Sequence, residues 1–373
     1  MQCSELATVR HRVSVGQPLP FNVRNADRTL LLARGQVVDT FEQMEALFTR
    51  GALVDIAELR TANAHIKDAP AAQLPKLWAQ CLERVGETLQ SCGNVGFSQA
   101  LDEVSGPVQA LIERDPDLAI FQVLRQRGNV HTEYGVTHSI HAGITSTLVA
   151  RRLGWDDAAT QKVLKVALTM NLSMLELQGQ LAQQTTPPTA EQRQAIHSHP
   201  QRSVDILKLS GVHDEQWLEA VAHHHVAHDG SGYPAGVEQV GDLAALVRRA
   251  DIYTAKLSPR CNRDAMAADR AGRAMFMHDP GNSMTAALVK EFGVYPPGCF
   301  VRLASGETAV VVRRGASVIT PWVAALTTPH GVALSEPLPR DTARPENAIA
   351  GVIGEKSVKI RLAPEKLAAL ALG

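Results

Sequence analysis

The residues best equipped for chemistry lie in one stretch, His223-His224-His225-Val226-Ala227-His228-Asp229-Gly230-Ser231-Gly232-Tyr233-Pro234, where four histidines in six positions run into a turn-forming segment. Neutral imidazole is the commonest protein ligand for a metal ion. Neighbouring histidines can both face one ion if the backbone leaves helical geometry at that point. Gly230 and Gly232 supply the permissive backbone of a tight loop, and Pro234 stiffens its exit. Taken by itself, the stretch fits either a metal site or a solvated, histidine-rich helix end.

Four other groups qualify by type and setting. His138 falls in a helical pattern over 134–153, with Ile140, Ile144 and Leu148 on one side and Ala142 and Val149 on the other, beside His138. A helix apolar on both sides is buried, and a buried imidazole needs a hydrogen bond or a metal. His141 poses the same alternative. His199 sits in His197-Ser198-His199-Pro200, inside a helix opened by the capping-box pattern Thr189-Ala190-Glu191-Gln192. Proline favours a first helical position, so the spacing predicts an interruption there, with His199 capping a new turn. Asp251 ends an apolar face made by Leu243, Leu246, Val247 and Ala250 over 242–257. Such a carboxylate needs a cation or a donor, and a salt bridge to Arg248 or Arg249 is the simple alternative.

These groups must be held by helices. Asp214 is placed to cap the helix that delivers His224 and His225, with Trp217, Leu218 and Val221 on its buried face. Residues 161–174 are almost continuously apolar and predict a central helix, with Asn171 the only strongly polar group near its end. Stripes at Trp78, Cys81, Leu82, Val85, Leu89 and at Leu101, Val104, Val108, Leu111 predict a packing or dimerisation layer, so a homodimer is the expected assembly.

The flanks read differently. Residues 1–60 suggest a small α/β module, with strands at 19–24, 29–33 and 35–38 and a helix after Thr40. Residues 60–75 read as a linker and 76–294 as helical throughout. From Tyr295 the pattern turns to strands at 300–303, 308–313 and 322–326, with a returning strand at 357–362, so 295–373 forms a β-rich extension and tail.

A chain of 373 residues has room for two or three domains. The formal net charge of −1 supplies no field for nucleic acid or an anionic membrane. No apolar run approaches a membrane span. Five scattered cysteines without a C-x-x-C pair fit a reducing compartment, and Cys3 lies too near the start to follow an apolar signal segment. The expected location is therefore cytoplasmic.

Assembled in order, the pieces resemble the HD-GYP family, bacterial hydrolases of cyclic di-GMP built on an all-helical, metal-dependent phosphohydrolase fold. The resemblance rests on His138-Ser139, His199-Pro200, His224-His225, Asp229 to Pro234, Ala250-Asp251 and the Tyr295-Pro296-Pro297-Gly298 opening of the β unit, and covers residues 130–300. It implies a mainly α chain: an HD-type helical bundle with the small α/β module before it and the β extension after it. It also implies metal ligands at His138, His199, His224, His225 and Asp251, cyclic di-GMP as ligand, and a loop at Asp229, Gly230, Gly232, Tyr233 and Pro234 that meets substrate or a diguanylate cyclase.

Departures from the family pattern carry equal weight. The name-giving His-Asp pair falls on Met170 and Asn171, the lysine three residues on falls on Met174, the glutamate after the paired histidines is Val226, and the second aspartate of the Asp251 segment is Thr254. In the family the missing aspartate bridges two ions. Asn171 offers one neutral oxygen, and Met170 is a soft thioether ill-matched to hard cations. The resemblance thus implies one divalent ion (Fe, Mn, Zn or Ni) on His199, His224 and His225 in place of a two-metal centre. Arg249, Arg260 and Arg263 lie near the site mouth by sequence. Three readings stay open: a signalling protein that binds nucleotide or partner with impaired catalysis, a phosphodiesterase working from a reduced site, and a structural scaffold whose histidines only make hydrogen bonds.

Overall fold

A computed structural model of the chain describes residues 3–7, 9, 13–55, 62–93, 96–125, 134–227, 229–237, 239–358 and 360. Contacts divide it into two units, Met1–Asp68 and Ala69–Gly373.

In the first unit, β1 (Cys3–Glu5), β2 (Val23–Arg24), β3 (Leu30–Leu32) and β4 (Leu53–Asp55) form an antiparallel sheet in the order β1-β4-β2-β3. Helix α1 (Phe41–Thr49) starts at Thr40, whose hydroxyl accepts from Gln43 N while the Gln43 side chain accepts from the Thr40 amide. Leu6, Phe21, Val23, Met44, Leu47 and Val54 share one core. The strand expected at 19–24 shrinks to two residues, and 35–38 forms no strand. Turn bonds such as Leu19 N–H to Gln36 O and Gly35 N–H to Leu19 O use these backbone groups instead, with only an isolated bridge between Pro18 and Val37. The short strands β1 and β4 carry too few residues to show an alternation. Helix α2 (Ala62–Asp68) occupies much of the stretch read as a linker.

The second unit is mainly helical. Its helices are α3 (Leu74–Gln90), α4 (Phe97–Arg114), α5 (Pro116–Leu124), α6 (Tyr134–Arg152), α7 (Asp157–Thr169), α8 (Leu175–Gln183), α9 (Ala190–Leu209), α10 (Glu215–His223), α11 (Asp242–Leu257), α12 (Ala268–His278) and α13 (Ser283–Phe292). Side-chain caps set several starts: Asp156 accepts from Ala159 N, Thr189 from Gln192 N and Asp214 from Trp217 N. Each such cap is worth about 1 kcal/mol.

Helix α6 is the axis of the bundle, buried continuously from His138 to Ala150. It lacks a polar face because neighbours cover it all round. Gly143 permits the approach of α7: a Cβ there would stand 2.9 Å from Leu164 Cδ1. Gly135 permits the approach of α8, since a Cβ would lie 2.3 Å from Leu175 O.

Two helix boundaries differ from expectation. The central helix ends at Thr169, and Leu172–Met174 forms a separate 3₁₀ turn. Asn171 thus sits in a bend between elements. Helix α9 runs unbroken through Pro200, so His199 caps nothing and lies in the helix interior. Proline there removes one amide donor, a cost that the packing of His199, Pro200, Ser203 and Val204, all buried, offsets.

The β unit is an antiparallel sheet in the order β8-β7-β6-β5-β9, with β5 Phe300–Leu303, β6 Thr308–Arg313, β7 Trp322–Thr327, β8 Ala333–Asp341 and β9 Ile349–Ile353. Of the strand expected at 357–362, Ser357 ends a 3₁₀ turn over Glu355–Ser357, and residues 359, 361 and 362 lie outside the described ones. Strands β8 and β9 take the two edges instead. Asp117 of α5, Glu291 of α13 and Arg152 of α6 converge with Arg314, which follows β6; its Nη1 is 2.9 Å from Glu291 Oε1. No helix among the described residues is long and apolar enough to cross a membrane.

Candidate metal centre

The histidine-rich stretch breaks its helix where the ligands begin. Helix α10 ends at His223, and His224 and His225 follow in a turn closed by Val226 N–H to His223 O at 2.9 Å. Leaving helical geometry lets adjacent side chains face the same way. The two rings lie 4.2 Å apart, and His199 approaches from α9 at 5.1 and 5.0 Å. One ligand atom from each of the three falls within 4.8 Å of the others.

The hydrogen bonds of the rings decide what those atoms offer. His199 Nδ1 is 2.6 Å from Ile196 O, and His224 Nδ1 is 2.7 Å from Val221 O. A carbonyl only accepts, so each Nδ1 carries the proton and each Nε2 keeps its lone pair. Those two Nε2 atoms face each other at 3.1 Å. Two lone pairs at that distance repel, and a cation between them removes the conflict. Backbone carbonyls holding the far nitrogen are the usual outer support of metal-binding histidines.

Protonation does not compete near neutrality. Burial, reinforced by the neighbouring His225, pushes His199 down to about 4. Burial, with His199 beside it, pushes His224 to about 4, and burial with His224 pushes His225 to about 3. All three are neutral at pH 7 and fit a divalent cation.

His138 and Asp251 form a second group. His138 Nε2 lies 2.6 Å from Asp251 Oδ1, with side chains 2% and 13% exposed. Burial alone would raise the Asp251 carboxyl, but the hydrogen bond and charge of His138, then His225 and His224, hold it well below the usual carboxylate range. Asp251 acts electrostatically on all three clustered imidazoles, so the pair lies near them. The Asp251 salt bridge to Arg248 or Arg249 does not form. Arg249 turns to Asp279 and Thr285 instead. Tyr134, stacked on His138 with rings 5.9 Å apart, takes a hydrogen bond from Arg260 Nε at 3.2 Å. Arg263 donates to Ala255 O. Sequence spacing had singled out neither Tyr134 nor its stacking, since an aromatic at a helix start reads as core.

The positions where the family pattern is lost are all buried. Met170 and Asn171 are 0% and 2% exposed, Met174 7%, Val226 1% and Thr254 1%. Thr254 Oγ1 is spent on Ala250 O at 2.8 Å. The bend bearing Asn171 is tied to the metal helix by Ser173 Oγ donating to His199 O at 2.9 Å and by Ser203 Oγ donating to Ser173 Oγ at 3.1 Å. The backbone at these positions is packed and tied to α9, while the side chains there are thioethers, an amide, a hydroxyl and hydrocarbon. Three imidazoles fit one cation. Near the bend, no second group of three ionised or imidazole donors occurs among the described residues.

The loop after the histidines folds back over them. Ser231 N–H is 3.0 Å from Asp229 Oδ1, and Ala227 N–H reaches Ser231 O at 2.7 Å. Gly232 has φ +99°, and a Cβ there would lie 2.2 Å from His225 O. Glycine is required on both counts. This approach lays the Tyr233 ring 4.5 Å from His225 and 4.7 Å from His197. Burial pushes the Tyr233 phenol above its ordinary range. Asp229, Gly230, Gly232 and Pro234 are exposed, while His228 lies outside the described residues.

Comparison with known proteins follows the same geometry. The HD domain family matches residues 127–278, a span holding all five candidate ligands. A cyclic di-GMP phosphodiesterase of Pseudomonas aeruginosa is 28% identical over 241 residues, 63% of this chain and 56% of that protein. A 3'3'-cGAMP-specific phosphodiesterase of Vibrio cholerae is 27% identical over 141 residues, 37% of this chain and 30% of that protein. The chain thus spans little more than half of the first relative and under a third of the second. Among solved structures, an HDG"Y"P protein of Bdellovibrio bacteriovorus aligns with a TM-score of 0.50 at 15% identity, covering 78% of this chain and 98% of that one. That likeness is one of fold.

Proposed function

The chain belongs to the HD-GYP family, and on that premise we propose that it is a cyclic di-GMP signalling protein holding one divalent cation, with impaired hydrolysis. The observation that carries this reading is the contrast inside one cavity. His199 and His224 present opposed Nε2 lone pairs 3.1 Å apart, while Met170, Asn171 and Met174 are buried where the family pattern places charge.

His199, His224 and His225 would hold the cation through three neutral nitrogens, leaving open positions for solvent or a phosphate oxygen. When bound, it supplies Lewis acidity toward phosphate. The residues do the rest. Ile196 O and Val221 O keep the rings in register. Tyr233 covers the His225 face and excludes water from it. His138 Nε2 holds a proton against Asp251. Asn171 cannot contribute the bridging negative charge that a second cation needs. Each tenfold of lost rate corresponds to about 1.4 kcal/mol of transition-state stabilisation.

The exposed loop from Asp229 to Pro234 is offered as the contact for a protein partner, a diguanylate cyclase domain by family resemblance. Paired copies of the chain and a cytoplasmic location belong to the same proposal.

A cyclic di-GMP hydrolysis assay with added manganese or iron, run beside metal analysis of the purified protein, tests the reading. Expected are one ion per chain, nucleotide binding and little turnover. Turnover matching an intact family member, or two ions per chain, would overturn it. The three-imidazole cluster favours a second reading, a phosphodiesterase using the single ion. It predicts turnover that disappears with His224→Ala.

A further inference from the structure

A cavity of about 520 Å³ lies between α3, the end of α5 and α6, on the residues of α6 that flank His138. Its size falls within the range of small-molecule sites. The proposal made for it does not rest on the metal or on cyclic di-GMP.

One of its lining groups lacks what burial demands. Gln122 is 3% exposed, yet its Nε2 has no hydrogen-bond partner among the described residues. A buried amide donor left unpaired costs about 1–3 kcal/mol, so a ligand offering an acceptor would recover that. His141, 5% exposed, lines the same space one helical turn beyond His138. An apolar filling would leave the Gln122 donor unanswered.

The charges of the walls select the ligand. Glu83 and Glu87 stand one turn apart on α3, where like charges repel. Gly86 lies between them and brings α3 close to α6, a Cβ there being 3.4 Å from Val136 Cγ1. Facing them is Arg125, with a side chain 11% exposed. Its Nη2 is 2.7 Å from Glu355, a carboxylate 71% exposed that water competes for, and its Nε donates to Leu124 O. Two carboxylates against one guanidinium disfavour a phosphorylated ligand. They suit a molecule with one positive and one negative end.

We propose that this cavity binds a free α-amino acid, with its ammonium between Glu83 and Glu87 and its carboxylate on Arg125 and Gln122 Nε2. The side chain would lie against Leu82 and Ile140, with His141 as the remaining polar contact.

Calorimetry on the full chain with each of the twenty free amino acids tests this. At least one should bind saturably, while its N-acetyl form and its methyl ester should not. Glu87→Ala and Gln122→Leu should each weaken binding about tenfold or more, as expected for loss of a hydrogen bond to a charged group. Glu219→Ala, outside the cavity, should leave it unchanged. The proposal is overturned if no amino acid saturates, if the blocked forms bind equally well, or if Glu87→Ala binds like the parent. Because Glu87 is exposed at the rim, that variant decides the matter should Gln122→Leu fail to fold.

Discussion

The two sides of the candidate metal site differ in what their side chains offer a cation. On the side of α9 and α10, three imidazoles share one focus, and two of them, His199 and His224, are buried and held by backbone carbonyls. On the side of the bend after α7, the backbone bonds from Ser173 to α9 remain, but Met170, Asn171 and Met174 carry no charge. Helix packing constrains backbone and volume, so uncharged side chains can fill these positions without disturbing it. Methionine in particular fills a buried gap without demanding a partner.

The strongest way to break this contrast is to attack the preserved half. His224→Ala removes one of three nitrogens and should lower metal affinity by more than the about 10–100-fold that loss of an outer support costs. Isothermal titration with Zn²⁺ or Mn²⁺ checks it. Equal affinity in the variant would mean that the cluster is not the binding site.

Rebuilding the other half sharpens the same contrast. The double variant Met170→His, Asn171→Asp should raise the metal content toward two ions per chain and raise cyclic di-GMP turnover about tenfold or more, a gain of about 1.4 kcal/mol. Mass spectrometric metal analysis and product chromatography read the two effects. The unchanged Met174 should keep the rate below that of an intact family member.

Gly232→Ala forces a Cβ onto His225 O and a side chain into φ +99°. Strain of about 1–3 kcal/mol is expected. It should show as a lower denaturation midpoint and as weaker metal binding, with α6 and α7 unaffected in hydrogen exchange.

Acid should separate the halves more gently. The buried imidazoles have folded-state pKa values below the ordinary 6.5, about 4 for His199 and His224 and about 3 for His225 and His141. The unfolded chain therefore takes up protons first as pH falls. Stability is full above pH 6.5 and declines through the interval down to about 4–3, where the folded state protonates too. Thermal melts of metal-free protein should follow that course, and His225→Gln should flatten it.

The smallest effect concerns scaffold alone: Thr189→Ala should cost about 1 kcal/mol through loss of the α9 cap, with metal stoichiometry unchanged. A chemical-denaturation midpoint reads it.

Much of this was legible in the residues themselves. The caps Thr40, Thr189 and Asp214, the helix over 242–257, the buried character of α6 and the candidate ligands depend on local spacing, which a linear chain displays. Grouping is another matter. Local spacing does not group His199, His224 and His225 apart from His138 and Asp251; the family resemblance implied that division, and the packing of α6, α9, α10 and α11 produces it. Tertiary contacts also kept α9 continuous through Pro200, ended α7 before Asn171, and paired short strands such as β1, β4 and β9, whose few residues carry no readable alternation. Gln122 and His141 became a joint surface only when α3, α5 and α6 met. Residue identity determined which chemistry was available. Packing decided which groups would share it, since a contact between distant residues is a property of helix placement that no local pattern encodes.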